Sequence, residues 1–194
     1  MNFGLEFLKS SSIENPKKEI EIFLCHLLSC SKFELYNRPK KSISLTKVNL
    51  LNEWLKRRAK REPIQYIINN AWFYGRDFYV NKNVFIPRPE SERLIEEAIN
   101  FLSDFDSPRI LEIGTGSGCL SISLAIELPN SDVQSIDISE KAIQYAKEKY
   151  NVYNILANSL IDEIPEHDGL LTCPPYWNLE KYDSKNGLDK IKKW

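Results

Sequence analysis

The chain is poor in the residues that build disulfide frameworks and metal centres. Its 194 residues include four cysteines and two histidines. The cysteines are Cys25, Cys30, Cys119 and Cys173. They lack both the paired spacing of a zinc site and the density of a disulfide scaffold, so a reducing cytoplasm is the expected compartment. Neither His26 nor His167 lies in a motif, and we expect no metal site and no histidine base.

Long apolar runs and an excess of one charge are also missing. No stretch approaches the roughly 18 apolar residues of a membrane span, so we expect neither a span nor export. Lys and Arg total 26 against 27 Asp and Glu, and the net charge of -1 provides no field that would attract nucleic acid or an anionic membrane. The hydrophobic content of 42% suffices for a small domain attached to a medium one. Nothing indicates an oligomeric state.

Residues 1–62 show the apolar spacing of helices and form the first predicted domain. Asn15 as N-cap and Pro16 at the first helical position predict where one helix begins. Its inward face carries Ile20, Phe23, Leu24, Leu27 and Leu28. A second helix presents Val48, Leu51 and Leu55 on one side and ends in a basic cluster, Lys56 to Arg61. We interpret this cluster either as a solvated face that complements the helix dipole or as a docking patch for an acidic partner.

Aromatic and β-branched residues dominate the segment 63–86, after the helix breaker Pro63. This composition predicts one or two hairpins, which would connect two domains. Pro87 and Pro89 end the segment, and a helix is predicted over Glu90–Ser103.

The remaining region, 87–194, alternates strands with helices and forms the second predicted domain. Strands are predicted over Arg109–Ile113, Val133–Ile138, Val152–Ala157 and Gly169–Thr172. The intervening helices are predicted over Cys119–Leu128 and Ser139–Tyr150. This alternation implies right-handed crossovers and an α/β fold with a parallel sheet that is covered on both faces.

The first motif with chemical meaning is a glycine turn that follows the strand Arg109–Ile113. Gly114, Gly116 and Gly118 alternate there, and glycine lets a ligand lie close against the backbone. Asp137 ends the next strand, where a carboxylate suits hydrogen bonds to both hydroxyls of a ribose. The spacing G-x-G-x-G, with Glu112 before it, is typical of methyltransferases and differs from the dinucleotide-binding G-x-G-x-x-G. A nucleoside cofactor is therefore predicted.

The second motif is Cys173-Pro174-Pro175-Tyr176, directly after the last predicted strand. Two consecutive prolines donate no hydrogen bonds and fix the backbone, so the Pro174 carbonyl is free to accept one. Tyr176 adds an aromatic face. Such a corner is suited to hold a planar amide or an exocyclic amine near an activated methyl group.

The motifs together resemble those of the protein-glutamine N5-methyltransferases that modify peptide-chain release factors, a family historically called HemK. The resemblance rests on four stretches in the family's order, together with the Pro-Pro-Tyr corner. The stretches are Glu62–Tyr66, Phe73–Phe78, Phe85–Glu92 and the glycine turn. It implies a Rossmann-like methyltransferase sheet, S-adenosylmethionine as cofactor, and the glutamine of the release factor's Gly-Gly-Gln loop as methyl acceptor. In this family the helical domain and the hairpin connector help to recognise the release factor.

The resemblance also implies roles for single residues. Gly114, Thr115, Gly116, Ser117 and Gly118 would surround the methionine and ribose parts of the cofactor. Glu112 would orient its methionine end, Asp137 would bind the ribose, and Asn158 would lie beside the adenine. Phe85 would form a wall of the substrate pocket, next to the catalytic and substrate-binding corner of Cys173, Pro174, Pro175 and Tyr176.

Two features depart from the family's pattern. Cys173 replaces an asparagine whose carbonyl accepts an amide hydrogen, and a thiol is a weaker acceptor. Residues 177–194 resemble the tail of phage-type DNA amino-methyltransferases and are too few for the strands that complete such a sheet, so the catalytic domain is expected to be incomplete. A nucleobase methyltransferase and a non-catalytic module that binds a protein partner therefore remain as alternatives.

Overall fold

The computed structural model describes residues 1–37, 43–137, 139–142, 144 and 167–172. Two compact units divide the chain, the first of them Met1–Asn70 and the second beginning at Ala71. Each unit has its own cluster of buried apolar side chains. Within the described ranges, every helix is too short or too polar to cross a membrane.

The first unit is helical throughout the residues described. Its helices are α1 (Asn2–Ser10), α2 (Pro16–Leu28), α3 (Lys32–Asn37), α4 (Leu45–Ala59) and α5 (Ile64–Ile68). The predicted start of α2 is confirmed, although the Asn15 side chain makes no capping hydrogen bond. The apolar face of α2 is buried as its spacing predicts, and Leu55 of α4 packs in the same core. The spacing in α4 predicts Val48 on the same inward face as Leu55, but Val48 is exposed.

The basic cluster at the end of α4 ties the helices of this unit together. Arg58 donates from Nε and Nη2 to both carboxylate oxygens of Glu19, at 2.6 and 2.9 Å, and so joins α4 to α2. Arg57 donates to Glu62 and to two backbone carbonyls at the end of α5. Neither interpretation of the cluster predicted these contacts, whose acceptors lie on α2, on α5 and in the loop between α4 and α5.

The segment predicted as a hairpin connector begins with a helix, so that prediction is wrong for residues 64–68. Pro63 directly precedes α5 with a φ of -56°, and Ile67 is buried in the core of the first unit. A short apolar run with β-branched residues fits a strand or a buried helix equally well, and packing decides between them. The helical unit therefore extends to Asn70 instead of ending at residue 62.

The rest of the segment contains one hairpin, formed by β1 (Ala71–Phe73) and β2 (Arg76–Phe78). Tyr74 and Gly75 form its two-residue turn and both have positive φ, as a type I′ turn requires. Phe73 and Phe78 are fully buried in the second unit's core, with ring centroids 6.1 Å apart. The hairpin is thus an integral part of the second unit, not a separate connector.

A parallel sheet lies at the centre of the second unit. Among the described residues its strands are β3 (Arg109–Ile113), β4 (Asp132–Ile136) and β5 (Gly169–Thr172), in the order β4-β3-β5. Helix α6 (Glu92–Leu102) follows a short 3-10 turn, Pro89–Ser91, and α7 (Cys119–Glu127) connects β3 to β4. Strand and helix positions here agree with the sequence patterns, and the predicted α/β class with a parallel sheet is confirmed.

Some predicted elements lie outside the described residues. They are the strand Val152–Ala157 and most of the helix Ser139–Tyr150.

The central strand β3 is the one that matters for the site. It is hydrogen bonded on both sides, and Ile110, Leu111 and Glu112 in its middle are buried.

Candidate cofactor site

The glycine turn lies at the carboxyl edge of the sheet, where the strand order reverses. From β3 the chain passes through α7 to β4 on one side, whereas β5 lies on the other side of β3. Open α/β sheets bind ligands in the crevice at such a switch point. Cys119, the first residue of α7, directly follows the turn, so the helix begins at the same edge.

All three glycines of the turn adopt a backbone conformation that favours glycine. Their φ angles are 83° at Gly114, 54° at Gly116 and 78° at Gly118. Apart from the adjacent residues of the turn, a Cβ built on Gly114 or Gly116 would meet no atom of the described residues within 4 Å. The turn therefore leaves open space above its backbone, which is what a closely bound ligand needs.

The turn is anchored to the end of β4. The backbone N–H groups of Gly114 and Thr115 both donate to the carbonyl of Ile136, at 2.8 and 3.1 Å. The Gly116 N–H donates to Oδ2 of Asp137 at 2.8 Å. These contacts bring together the glycine turn and the acidic residue that the sequence pattern assigned to one site.

Asp137 has a half-buried carboxylate with two backbone donors. Besides Gly116, the N–H of Ser139 donates to its Oδ1 at 2.8 Å. Each carboxylate oxygen has more than one acceptor direction, so both can also accept from a ligand hydroxyl. The carboxylate is thus held in place beside the open space of the turn.

Glu112 lies beneath the turn, inside the fold, with 2% of its surface exposed. Its Oε2 accepts hydrogen bonds from Thr115 Oγ1 at 2.8 Å, from the Ser121 N–H at 3.2 Å and from Ser135 Oγ at 3.3 Å. Sequence reasoning did not identify Ser121 or Ser135. The signal that could have indicated such donors was the buried carboxylate itself, because a buried polar group needs hydrogen-bond partners from its neighbours.

Burial raises the pKa of the Glu112 carboxyl above the usual 4.5, although hydrogen bonds from Ser121, Thr115 and Ser135 oppose the shift. A carboxyl with a raised folded-state pKa stabilises the fold fully below its unfolded pKa and loses that contribution as the pH rises through the folded-state value. The Tm of the wild type minus that of Glu112→Gln should therefore fall as the pH rises from 4.5. Calorimetry across about pH 4 to 8 measures the difference, and a rising difference would contradict the expectation.

Thr115 and Ser117 alternate with the glycines and are both buried. The Thr115 hydroxyl is directed at Glu112 and also lies 3.3 Å from the Ser121 hydroxyl. Thr115 is therefore engaged with the protein through its hydroxyl, through its N–H, which donates to Ile136, and through its carbonyl, which accepts from Gly118. Phe85, predicted to line a substrate pocket, has half of its surface exposed, and its assignment to that pocket stays a prediction.

The remaining predicted site residues lie outside the described residues. They are Asn158, Cys173, Pro174, Pro175 and Tyr176. The described backbone ends at Thr172 of β5, which pairs in the parallel register with Ile113. Ile113 directly precedes Gly114, so β5 and β3 end at the same edge of the sheet.

A polar groove of about 710 Å³ lies in the helical unit. It is lined by Glu14, Asn15, Pro16, Lys17, Lys18, Glu21, Lys32 and Tyr36. Its one buried carboxylate, Glu21, accepts from Lys32 at 2.7 Å and from the Tyr36 hydroxyl at 2.5 Å. These two hydrogen bonds lower the pKa of Glu21, and they hold α3 to α2.

The fold and the turn together define a class of protein. A parallel sheet whose central strand runs into three glycines of positive φ, beside a strand that ends in a carboxylate, is the Rossmann-like arrangement of methyltransferases. Residues 104–165 match the family described as methyltransferase domain. Residues 1–68 match the family described as PrmC N-terminal domain.

Curated relatives identify the family within this class. A release factor glutamine methyltransferase of Flavobacterium psychrophilum is 36% identical, with 97% of this chain aligned to 72% of that protein. The proteins of that name in Fusobacterium nucleatum subsp. nucleatum and Chlorobaculum tepidum are 35% and 32% identical. The chain belongs to the release factor glutamine methyltransferase family. It covers 54% of the length of the Fusobacterium protein and 64% of the Chlorobaculum protein.

Proposed function

We propose that this chain binds S-adenosylmethionine and methylates the N5 atom of the glutamine in the Gly-Gly-Gln loop of peptide-chain release factors. One observation carries the cofactor proposal: the open space over Gly114 and Gly116, bordered by the Asp137 carboxylate. The methyl acceptor is taken from the names of the relatives. A release factor substrate is consistent with a cytoplasmic enzyme.

The residues of the turn fit an adenosyl ligand. A ribose presents two neighbouring hydroxyls, and Asp137 holds two carboxylate oxygens at the edge of the open space. Gly114 and Gly116 provide backbone without side chains, so a bulky ligand can lie against it. Asn158 would accept from the adenine amino group, as the family resemblance implies.

S-adenosylmethionine supplies, when bound, a methyl group made electrophilic by a positively charged sulfur. The amide nitrogen of glutamine is a poor nucleophile because its lone pair is delocalised, so the protein has to position it and accept its hydrogens. We propose that the backbone carbonyl of Pro174 accepts one amide hydrogen and that Tyr176 borders the planar amide. Cys173, in the position of the family's asparagine, is a weaker second acceptor.

The topology supports this placement of the corner. Thr172 pairs with Ile113, the residue before the glycine turn. Cys173 is the next residue in the sequence after Thr172. This supports the proposal that the motif acts together with the glycine turn.

Transfer of label from S-adenosylmethionine tests the acceptor. Incubation with the labelled cofactor and either a release factor or single-stranded DNA should label the release factor, and a release factor without the Gly-Gly-Gln glutamine should stay unlabelled. Label on the DNA would instead support the nucleobase alternative that Cys173 and the tail suggest. Tight binding of the release factor by the helical unit without any label would support a non-catalytic module.

A change at Cys173 should raise the rate of glutamine methylation. An asparagine there restores a strong acceptor where positive charge develops, and one such group contributes about 3 kcal/mol, or roughly a hundredfold in rate. We therefore expect Cys173→Asn to increase kcat by up to about a hundredfold with cofactor affinity unchanged. The same substitution at Cys30, in the helical unit, is the control. An unchanged kcat would show that this position does not hold the amide.

A further inference from the structure

Three segments that are separate in sequence converge on one buried carboxylate oxygen. Oε2 of Glu112 accepts from Thr115 in the glycine turn, from the backbone of Ser121 in the first turn of α7, and from Ser135 on β4. The parallel register places Ser135 directly opposite Glu112. The carboxylate therefore links the turn, the helix and the neighbouring strand.

We infer that Glu112 is a positioning residue, which fixes the shape of the glycine turn from inside the fold and sets cofactor affinity without touching the cofactor. The inference rests on the proposed function. It assigns Thr115 and Ser135 to the same task, since both hydroxyls donate to Glu112. Only 2% of the Glu112 surface is exposed, which leaves little of this residue for contact with a ligand.

The alternation of residues along the turn supports this division of roles. Gly114 and Gly116 face open space, whereas the side chain of Thr115 between them is buried and bonded to Glu112. On the side that faces the open space, the turn is held by the hydrogen bond from the Gly116 N–H to the Asp137 carboxylate. On the inner side the Thr115 hydroxyl is its side-chain anchor, so loss of that hydroxyl would leave the turn held only by its bonds to Ile136 and Asp137.

The burial of the site strengthens the anchor. A hydrogen bond inside a protein is electrostatically stronger than one in water, because the local dielectric is low. Ser121 Oγ lies 3.3 Å from Thr115 Oγ1, and it also donates to the carbonyl of Gly118, at 3.3 Å. The network thus fastens the turn at its second and its last residue.

Two ligands distinguish a positioning role of Glu112 from direct contact between Glu112 and the cofactor. S-adenosylhomocysteine carries the amino acid end that Glu112 would have to touch, whereas 5′-methylthioadenosine has the same nucleoside and lacks that end. If Glu112 positions the turn, Thr115→Val and Glu112→Gln should each weaken both ligands by the same factor, about tenfold for Thr115→Val. Thr115→Ser keeps the hydroxyl and should restore binding to within about twofold of the wild type. Isothermal titration calorimetry measures these affinities.

Ser123 provides the matched control for Ser135. It is a fully buried serine on α7 whose hydroxyl has no hydrogen-bond partner among the described residues. Ser135→Ala should weaken both ligands equally, and Ser123→Ala should weaken neither. Amide exchange gives a readout without ligand: in Thr115→Val the Gly116 N–H should exchange faster, while that of Leu111 in β3 keeps the wild-type rate.

Several outcomes would overturn the inference. A loss confined to S-adenosylhomocysteine would show that the carboxylate contacts the amino acid end. Unchanged affinity in Thr115→Val would show that the turn does not depend on its inner anchor. A wild type that binds neither ligand would contradict the proposed function itself, and the positioning role with it, whereas in the two preceding outcomes the cofactor site still stands.

Discussion

Replacing Gly116 with valine is expected to abolish binding of S-adenosylmethionine, with a loss of affinity of at least about a thousandfold. The site of a Cβ on Gly116 is open, and a ligand that lies against the turn would fill it. Valine would occupy that space with a branched side chain. No atom of the described residues lies within 4 Å of that Cβ position, apart from the neighbours of Gly116 in the chain.

The positive φ of Gly116 adds a second effect that a control has to remove. A residue with a side chain in the left-handed region costs about 1–2 kcal/mol, and a β-branched one is a clear outlier there. Gly75, in the hairpin turn, also has positive φ and also faces open space. Gly75→Val should therefore lower the Tm by a similar amount and leave cofactor affinity unchanged. Calorimetric titration and thermal unfolding of both variants separate strain from ligand exclusion, and equal affinity in the two would contradict the proposed pocket.

The second large effect is expected from Asp137→Ala. The carboxylate would bind the ribose through two charge-assisted hydrogen bonds of about 1.5–3 kcal/mol each, so its loss should raise the Kd at least about a hundredfold. Removing it also deprives the Gly116 and Ser139 N–H groups of their acceptor. Part of the loss therefore comes from the turn and not from the ribose.

Asp132 offers a control on the same strand. It begins β4, at the opposite edge of the sheet from Asp137, and Asp132→Ala removes the same charge. Cofactor affinity should be unchanged in this variant. An S-adenosylhomocysteine analogue without the ribose hydroxyls measures the contribution of the turn alone, since Asp137→Ala should weaken it much less. Equal weakening of both ligands would show that Asp137 acts only through Gly116.

Parts of the fold were predictable because the signals are local. Strand β3 lies where its apolar run predicts, Arg109–Ile113, and α7 begins at Cys119 directly after the last glycine. The start of α2 was also predictable, since proline loses no hydrogen bond in the first turn of a helix and its fixed φ favours the first position. In each case the residue type restricts its own backbone, and no distant partner is needed.

Other parts depended on partners that are distant in sequence. Ile64–Ile68 has a composition typical of strands and is helical, because Ile67 is buried in the helical core and Arg57 of α4 binds carbonyls at its end. The hairpin was predicted as a connector between domains and instead contributes Phe73 and Phe78 to the core of the second unit. The spacing of apolar residues within a short segment does not show in which hydrophobic core the segment packs.

The sequence by itself determined the parallel α/β class, the glycine turn and the acidic residue at the end of the next strand. These depend on apolar runs, on backbone angles that glycine favours and on position at a strand end, all of which are local properties. Only the tertiary structure decided what the Glu112 carboxylate does. Its donors Ser121 and Ser135 stand 9 and 23 residues away along the chain. They meet it because α7 begins directly after the glycine turn and because β4 pairs beside β3.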